Sequence, residues 1–356
     1  MSDQVLREAA EQPAILRAMF GRTDEFGALA EQLAGRFRHV LIAARGSSDN
    51  AARYGQYVLG ARNGLTVTLA APSLLTRLGA SLDLRDTLTV GISQSGASPD
   101  VVSVLAAADR QGSPTLAITN DEDSDLATTA RHVLALRAGV EQAVAATKTY
   151  TASLAAIAML SQALPSTDPS GDRDLREEQR RNGPAEFAAV PGSVDQVLQS
   201  AMPLEALAGW TEARRGIVVG RGHEFATAHE TALKLQELAG VIAQAHSAAD
   251  VRHGPIGGLT GRVPTILFTA GNRMADDIAD VAATLSSRSP LTTIGPASSN
   301  AANEHAQASW IVPDVADWLA PMVSVVAGQR LAIALAEAVG LDADQPAGLS
   351  KITRTR

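Results

Sequence analysis

The stretch HVLIAARGSS at residues 39–48 decides the fold expected for this chain, because an apolar, β-branched run ends there in glycine and serine. A second stretch of the same kind, GIVVGRGHE, occupies residues 216–224. Each is followed by a segment that suits a helix. The two stretches therefore predict two strand-loop-helix units in one chain.

Glycine and proline positions repeat between the two halves of the chain at an almost constant offset. The pairs are Gly46 and Gly222, Gly96 and Gly271, and Pro114 and Pro290, and their separations agree to within a single position. A spacing that holds from Gly46 as far as Pro114 is hard to obtain by chance. We infer two copies of one α/β unit.

Each copy reads as strands alternating with helices. The strands are near-continuous apolar runs, and amphipathic segments such as DVVSVLAAADRQ at 100–111 separate them. Buried strands of this kind are typical of parallel sheets covered by helices on both faces, with right-handed connections. The sequence therefore predicts the α/β class, with two doubly wound parallel sheets.

Composition shifts along the chain suggest its organisation. We expect an N-terminal helical segment at 1–36, a first domain at 37–163 and a second domain at 194–340. Between them lies a polar segment rich in proline, glycine and charge, 164–193, which has the composition of a domain connector. The remaining tail, 341–356, has no strong period, and its composition alone is that of a flexible end.

The composition excludes several classes of protein. Of 356 residues, 30 are Lys or Arg and 38 are Asp or Glu, and the net charge of −8 argues against binding along a nucleic-acid backbone. The chain has no cysteine, which excludes disulfides, thiolate metal sites and cysteine nucleophiles. Neither a signal peptide nor an apolar stretch of about 18 residues is present, so we expect a cytoplasmic protein without a membrane partner.

The segment SQSGASPD at 93–100 follows a predicted strand, where ligands of doubly wound sheets bind. It offers three hydroxyls and one amide, from Ser93, Ser95, Ser98 and Gln94. Gly96 lets backbone N–H groups approach closely, and the set suits a phosphate monoester bound without a full Lys or Arg clamp. The alternative is a simple Ser/Gly turn in which Pro99 begins a helix.

The segment RGSSDN at 45–50 repeats this arrangement after the first strand, with Ser47 and Ser48 where the loop meets the helix. N-capping alone would also explain these serines. Because both loops would open on the same sheet edge, they favour one shared anion pocket. Neither segment matches G-x-x-x-x-G-K-[ST] or G-x-G-x-x-G, which argues against a nucleotide.

In the second copy, Glu230, Lys234 and Glu237 are spaced to share one helix face. A surface ladder of ion pairs would have the same spacing. Further on, the VRHGP segment places His253 before a Gly-Pro break, on a loop. A carboxylate together with a histidine is equipment for proton transfer.

Metal and hydrolase chemistry fit the sequence poorly. The run from His223 to His229 is two residues longer than the H-E-x-x-H pattern that brings two histidines to one helix face. A G-x-S-x-G nucleophile elbow is missing from the sequence. We therefore expect no metal and no cofactor.

Six motifs in order resemble the sugar isomerase (SIS) domain family and in particular its aminosugar branch, which includes glucosamine-6-phosphate synthase and SIS-type glucosamine-6-phosphate deaminases. They are RGSS, SQSGAS, EQAVAATKTYT, HETALKLQE, VRHGP and DQPAGLSK, and with EQPAIL the resemblance extends over 11–356. It implies two tandem SIS domains of flavodoxin-like topology.

The resemblance also implies roles for individual residues. Phosphate would be bound by Ser48, Ser93, Gln94, Ser95 and Ser98, and the sugar by Ser47, Thr147 and the backbone near Val144. Glu237, beside Lys234, would be the base that moves a proton between carbons 2 and 1. His253 would open the sugar ring from across the interface of a twofold homodimer. Lys351 would assist ring opening, which makes the tail a lid rather than a flexible end.

The reaction expected from the resemblance is deamination of glucosamine 6-phosphate with water, giving fructose 6-phosphate and ammonia. The cysteine nucleophile of the synthase's glutaminase domain has no counterpart here, so glutamine is not expected as the donor. Ala146 and Ala97 stand where the synthase has serine and glutamate, which affects specificity. The alternatives are a fructosamine 6-phosphate deglycase and a phosphosugar sensor that needs no base.

Overall fold

The computed structural model describes residues 3–166, 173–259, 261–269 and 274–351, with no side-chain description for 173–180. The chain divides into two compact units, each assembled from several segments. The first-sheet unit comprises Ala14–Glu141, Lys148–Phe187 and Ser350–Arg356. The second-sheet unit comprises Met1–Pro13, Gln142–Thr147 and Ala188–Leu349.

The first-sheet unit contains a five-stranded parallel sheet with the order β2-β1-β3-β4-β5. Its strands are β1 (His39–Ala43), β2 (Thr66–Leu69), β3 (Thr87–Ile92), β4 (Thr115–Thr119) and β5 (His132–Ala135). Every residue of β3 and β4 is buried, as expected for central strands that carry helices on both faces.

Nine helices precede the second sheet along the chain, among the residues that the structure describes. They are α1 (Asp3–Ala10), α2 (Gln12–Phe20), α3 (Thr23–Leu33), α4 (Ser47–Asn63), α5 (Ser73–Thr76), α6 (Pro99–Asp109), α7 (Asp125–Thr129), α8 (Lys148–Ala163) and α9 (Arg173–Gln199). Helices α4 and α8 pack together. Apolar side chains of α6 pack with those of β1 and β4 in one core.

The second-sheet unit contains a parallel sheet with the order β7-β6-β8-β9-β10. Its strands are β6 (Arg215–Gly220), β7 (Ile242–Ser247), β8 (Thr265–Phe268), β9 (Leu291–Gly295) and β10 (Ala308–Ile311). Its helices are α10 (Glu224–Ala239), α11 (Ala275–Ser286), α12 (Asn300–Asn303) and α13 (Ala320–Ala338), with short 3₁₀ turns at Leu204–Leu207, Asp250–His253, Pro255–Gly258 and Ala297–Ser299.

The two sheets repeat one design, which confirms the predicted fold class. Counted along the chain, both have the order 2-1-3-4-5, that of flavodoxin-like sheets. Four of the five pairs of corresponding strands begin at one constant offset, at 39 and 215, 66 and 242, 115 and 291, and 132 and 308. The pairing agrees, because Leu41 lies opposite Thr89 and Ile217 lies opposite Thr265. Gly271, one of the sequence landmarks, lies outside the described residues.

Helices α4 and α10 end in the same way in the two copies. Gly64 follows α4 with φ +68°, and Gly240 follows α10 with φ +65°, at the same offset as the strands. This left-handed conformation strains most residues but not glycine, so the glycine ends each helix and turns the chain toward the next strand.

The predicted domain boundaries stay a prediction, but the connector and the tail are partly described. Helix α9 occupies the larger part of the connector predicted at 164–193, and residues 167–172 lie outside the description. The tail is described as far as Lys351 and forms turns without a helix. Within the described ranges, none of the helices combines the length and apolar character needed to cross a membrane.

Candidate active site

The two serine-rich loops lie at the carboxyl ends of neighbouring strands, as the sequence predicts. Strands β1 and β3 pair side by side, with Ala43 opposite Gly91 at their ends. Ser47 and Ser48 then begin α4, and Ser98 is the residue that precedes α6. Both loops therefore open at one sheet edge beside helix N-termini, where backbone N–H groups favour an anion. We name this pair of loops the serine cradle.

Glycine is required at the bend of the second loop. Gly96 has φ +61°, and a β-carbon there would lie 1.9 Å from Ser124 Oγ. The Gly96 carbonyl accepts a hydrogen bond from the Leu126 N–H at 3.1 Å. The loop is thus closely backed by α7, which fixes its shape before any ligand binds.

The hydroxyls of the second loop are close together and only lightly engaged. Ser93 Oγ and Ser98 Oγ lie 3.4 Å apart, and Ser95 Oγ accepts the Ala97 N–H at 3.4 Å. Ser95, Ser98 and Gln94 are half-buried, whereas Ser93 is buried. Donors with such long contacts can turn toward an incoming phosphate oxygen at little cost.

An ion pair that the sequence analysis did not single out joins the two loops. Arg45 Nε donates to Asp100 Oδ2 at 2.8 Å, and the Asp100 carboxylate is buried at the start of α6. Because Arg45 already has this acidic partner, we expect the hydroxyls and helix N-termini to make the main contribution to anion binding. The pair also fixes the spacing of the two loops.

The second-sheet unit holds a charge cluster on one face of α10, formed by Glu230, Lys234 and Glu237. Lys234 Nζ lies 3.4 Å from Glu230 Oε1 and donates to Glu237 Oε2. The side chains of Glu230 and Lys234 are 0% and 1% exposed, and that of Glu237 is 23% exposed. The alternative of a surface ladder is therefore wrong for this helix. A half-buried carboxylate beside a buried ammonium can exchange a proton with a ligand while staying fixed in position.

Burial of this cluster follows from the packing of α10. The helix packs against α13 and against strands β6 and β7, so its charged face is turned away from bulk water. An isolated charge there would cost several kcal/mol, and pairing offsets that cost only if each charge finds a partner. Two carboxylates sharing one ammonium meet that condition.

His253 lies where the VRHGP segment predicts, on an exposed turn. It ends the 3₁₀ turn Asp250–His253, and Gly254 follows with φ +135°, a conformation that favours glycine. The neighbouring Arg252 reaches Asp277 at 3.7 Å. An exposed imidazole on a short turn is accessible to a ligand or a partner chain.

Lys351 forms an ion pair with Glu141, a residue for which the sequence analysis assigned no role. Lys351 Nζ donates to Glu141 Oε2 at 3.0 Å. The Glu141 carboxylate is fully buried and also accepts bonds from Thr149 Oγ1 at 2.6 Å and Thr149 N at 3.2 Å. The position of Glu141 at the head of EQAVAATKTYT is the only signal in the sequence that points to it.

The predicted site residues are distributed over both units. The first-sheet unit holds Ser47, Ser48, Ser93, Gln94, Ser95, Ser98 and Lys351, and the second-sheet unit holds Val144, Thr147, Lys234, Glu237 and His253. Val144 is half-buried and Thr147 is buried, both in the segment Gln142–Thr147. The roles of all these residues stay predictions.

Glu224 is a second buried carboxyl on α10, at the position where the first copy has Ser48. Its side chain accepts a bond from Ser324 Oγ at 2.9 Å. Burial raises the pKa of Glu224 to about 7, against the opposing effect of its hydrogen bonds. An acidic residue in place of a serine makes this position unfavourable for an anion.

Fold and site together define a tandem, doubly wound α/β protein with a polar cradle at the switch point of one sheet. A family model described as "SIS domain" matches residues 36–163 and 211–327. The isomerizing glutamine–fructose-6-phosphate aminotransferase of Thermus thermophilus is 33% identical over 355 residues, covering 98% of this chain and 58% of that protein. The chain therefore belongs to the SIS domain family.

Solved structures support the same fold. The C-terminal domain of glucosamine-fructose-6-phosphate aminotransferase from Francisella tularensis superimposes with a TM-score of 0.83 at 23% identity, over 96% of this chain and 98% of that one. Glucosamine-6-phosphate deaminase from Thermotoga maritima gives 0.76 at 19% identity, over 99% and 100%. The chain thus spans 58% of its aminotransferase relative and nearly all of each of these structures.

Proposed function

We propose that this protein is an enzyme that converts glucosamine 6-phosphate and water into fructose 6-phosphate and ammonia. The observation that carries the proposal is the buried cluster of Glu230, Lys234 and Glu237. A protein that only senses a phosphosugar needs the serine cradle but no buried acid-base cluster, and such a cluster is costly to retain. The kinship with isomerizing aminotransferases supports the same chemistry, and the fold also occurs in a glucosamine-6-phosphate deaminase.

The proposed reaction needs one proton transfer between carbons and one hydrolysis. His253 opens the sugar ring by protonating the ring oxygen while accepting the hydroxyl proton. Glu237 then removes the proton from carbon 2 of the open-chain amino aldehyde and returns it to carbon 1. Meanwhile the aldehyde oxygen becomes a hydroxyl, and the amine becomes an imine. Water adds to the imine carbon and ammonia leaves, which gives the ketose.

The remaining residues bind and orient the substrate in this proposal. The serine cradle holds the phosphate, and the sugar is contacted by Ser47 and by the Gln142–Thr147 segment. Lys234 holds the Glu237 carboxylate in place by its hydrogen bond. Lys351, held by Glu141, assists ring opening.

A second candidate is a fructosamine 6-phosphate deglycase, which shares the imine step but carries an amino acid on the sugar nitrogen. The alanine at position 146 supports the deglycase as a second candidate, because it stands where the synthase has a serine hydroxyl near the sugar. With that polar contact gone, selection for an unsubstituted amine is weakened.

An ammonia-release assay tests the proposal and separates the two candidates. The purified protein is given glucosamine 6-phosphate, galactosamine 6-phosphate, N-acetylglucosamine 6-phosphate and fructosamine 6-phosphates, with Glu237→Gln as the matched control. We expect ammonia and fructose 6-phosphate from glucosamine 6-phosphate alone. Release of a free amino acid from a fructosamine 6-phosphate would favour the deglycase, and no release from any substrate would end the enzyme proposal.

We further propose a twofold homodimer in which His253 serves the site of the partner subunit, consistent with its exposure on the isolated chain. Mixed dimers test this. If Glu237 and His253 act from different chains, a dimer of one Glu237→Gln chain and one His253→Ala chain retains one intact site. Recovery of about a quarter of the wild-type rate after subunit exchange is expected, whereas sites built within one chain would recover nothing.

A further inference from the structure

Glu8 of α1 is a buried carboxylate outside the groups that the proposed reaction uses. Its side chain reaches the segment Gln142–Thr147, where Gln142 N donates to Oε1 at 2.6 Å and Ala143 N donates to Oε2 at 3.0 Å. Gln4 Nε2 donates to Oε1 at 2.6 Å as well. Both carboxylate oxygens are thus occupied by consecutive backbone N–H groups, immediately before Val144.

Helix α1 is held in place by buried side chains and by hydrogen bonds, so the backbone that carries Glu8 is fixed in position. Val5 and Ala9 on the same helix are buried. Asp344 accepts the N–H groups of Gln4 and Val5 at 2.9 and 2.8 Å, which satisfies two donors of the first turn. Everything in this network belongs to the second-sheet unit.

Residue Gln12, which follows α1, adds a further attachment. Its Nε2 donates to Gln329 Oε1 of α13 at 3.1 Å, and both side chains are buried. Gln12 Nε2 also donates to the Ala9 carbonyl at 2.9 Å, so Gln12 connects α1, which carries Glu8, to the helix that packs on α10. Movement of Glu8 relative to the core is restricted.

We infer that Glu8 is a positioning residue that fixes the backbone of Gln142–Thr147 in the conformation needed to contact the sugar. Two charge-assisted bonds to neighbouring peptide groups set both the position and the orientation of those peptides. Without them, the Gln142 and Ala143 N–H groups lose their acceptor, and the segment can rotate. This inference rests on the proposed function, since it deepens the role given there to Val144 and Thr147.

The test compares Glu8→Gln with Glu11→Gln, the same change at an exposed position three residues along. Glutamine keeps the size of Glu8 but puts an NH₂ group against one of two N–H donors. Calorimetry measures the dissociation constants for inorganic phosphate and for glucosamine 6-phosphate, with every protein, including the wild-type reference, also carrying Glu237→Gln so that the substrate is not consumed. For Glu8→Gln we expect about a tenfold loss of affinity for the sugar phosphate, with phosphate affinity within twofold of wild type. Glu11→Gln should change neither.

Hydrogen exchange provides a readout that does not depend on activity. The amides of 142–147 should exchange faster in Glu8→Gln, with no change in Glu11→Gln. Glu8→Asp keeps the charge on a shorter side chain and should lose less sugar affinity than Glu8→Gln. If Glu8→Gln does not fold, this variant carries the same comparison.

The outcomes separate the inference from the proposed function. Wild-type protein that binds glucosamine 6-phosphate but releases no ammonia would refute the proposed reaction. The positioning role of Glu8 would then still be tested by the difference in sugar-phosphate affinity between Glu8→Gln and Glu11→Gln. Equal loss of both affinities, or unchanged sugar affinity, would overturn the role of Glu8. So would unchanged exchange at 142–147.

Discussion

The two copies of the α/β unit share their strand order and a constant offset between corresponding strands, yet they present different chemistry at matching positions. Where the first copy begins α4 with Ser47 and Ser48, the second has His223 and Glu224. The first copy thus offers hydroxyls at this helix start, and the second offers a buried carboxyl. The same scaffold therefore carries hydroxyl groups at this position in one copy and a carboxyl group in the other.

The matching faces of α4 and α10 also differ, and here the charged residues belong to the second copy. On α10, the charged cluster comes from Glu230, Lys234 and Glu237. The matching positions of α4 are Tyr54, Val58 and Ala61, of which Tyr54 and Val58 are fully buried. A helix in this place therefore needs no charge in order to fold. The fold therefore fixes where the side chains lie, and the residue types at matching positions differ between the two copies.

Removal of the Glu237 carboxylate, which the first copy lacks, should have the largest effect of the variants considered. In Glu237→Gln we expect turnover to fall by about 10²–10⁴-fold, the range for removal of a general acid or base. Affinity for inorganic phosphate should be nearly intact, because the cradle belongs to the other copy. Steady-state kinetics with calorimetry measure both, and equal losses of turnover and affinity would show that the role is misassigned.

Removal of the Lys234 ammonium tests whether this cation stabilises the buried carboxylate of Glu230 in the second copy. Lys234→Met leaves Glu230 buried without its ammonium, and we expect a loss of about 3–5 kcal/mol in the free energy of unfolding. The double variant Lys234→Met/Glu230→Gln should recover a large part of that loss. Urea denaturation measures both, and a single variant as stable as wild type would contradict this account of the cluster.

Glu224 should make stability depend on pH in a way that Ser48 cannot. Its pKa rises from 4.5 to about 7 on folding, so stability is fully present below about pH 4.5 and declines as the pH rises to about 7. At about 1.4 kcal/mol per pKa unit, the decline is about 3 kcal/mol at most.

Glu224→Gln stays neutral and should lack this decline. The measurement is the unfolding free energy of wild type and variant at pH 5 and pH 8. The difference between the two proteins should change by about 2–3 kcal/mol across this range, because pH 5 already lies slightly above the unfolded pKa of Glu224. Parallel pH profiles would mean that Glu224 ionises as freely in the folded protein as in the unfolded one.

The smallest effect is expected in the cradle, where several donors share the work. Ser95→Ala should weaken phosphate binding by about 1–3 kcal/mol. KM should therefore rise by about 5- to 150-fold, with kcat little changed. Ser103→Ala, one turn into α6 and bonded to the Pro99 carbonyl, is the matched control. An unchanged KM in Ser95→Ala would move the phosphate site elsewhere.

The sequence was sufficient for the fold because both of its signals can be read from the sequence without knowing the tertiary packing. Apolar runs mark the central strands, and the offset that links Gly46 to Gly222 survives as strand register. The cradle was also predictable, since residues that follow β1 and β3 must meet at one sheet edge. These features need no knowledge of distant packing.

Other features could not be predicted, because they depend on segments far away in the chain. The spacing of Lys234 between two glutamates is the same on a surface as in a core, and the packing of α10 against α13, β6 and β7 decides between the two. Glu141 and Glu8 find their hydrogen-bond partners at Lys351 and Gln142, which lie 210 and 134 residues away along the chain. No periodicity within a helix carries such information.

The bonds from Gln4 and Val5 to Asp344 span 340 and 339 residues of chain. During synthesis, the first helix leaves the ribosome long before its acceptor exists. At about 5–20 residues per second, the wait is about 20–70 s. The first turn of α1 gains this attachment only when translation is nearly finished, so a nascent chain released before Asp344 would emerge without it.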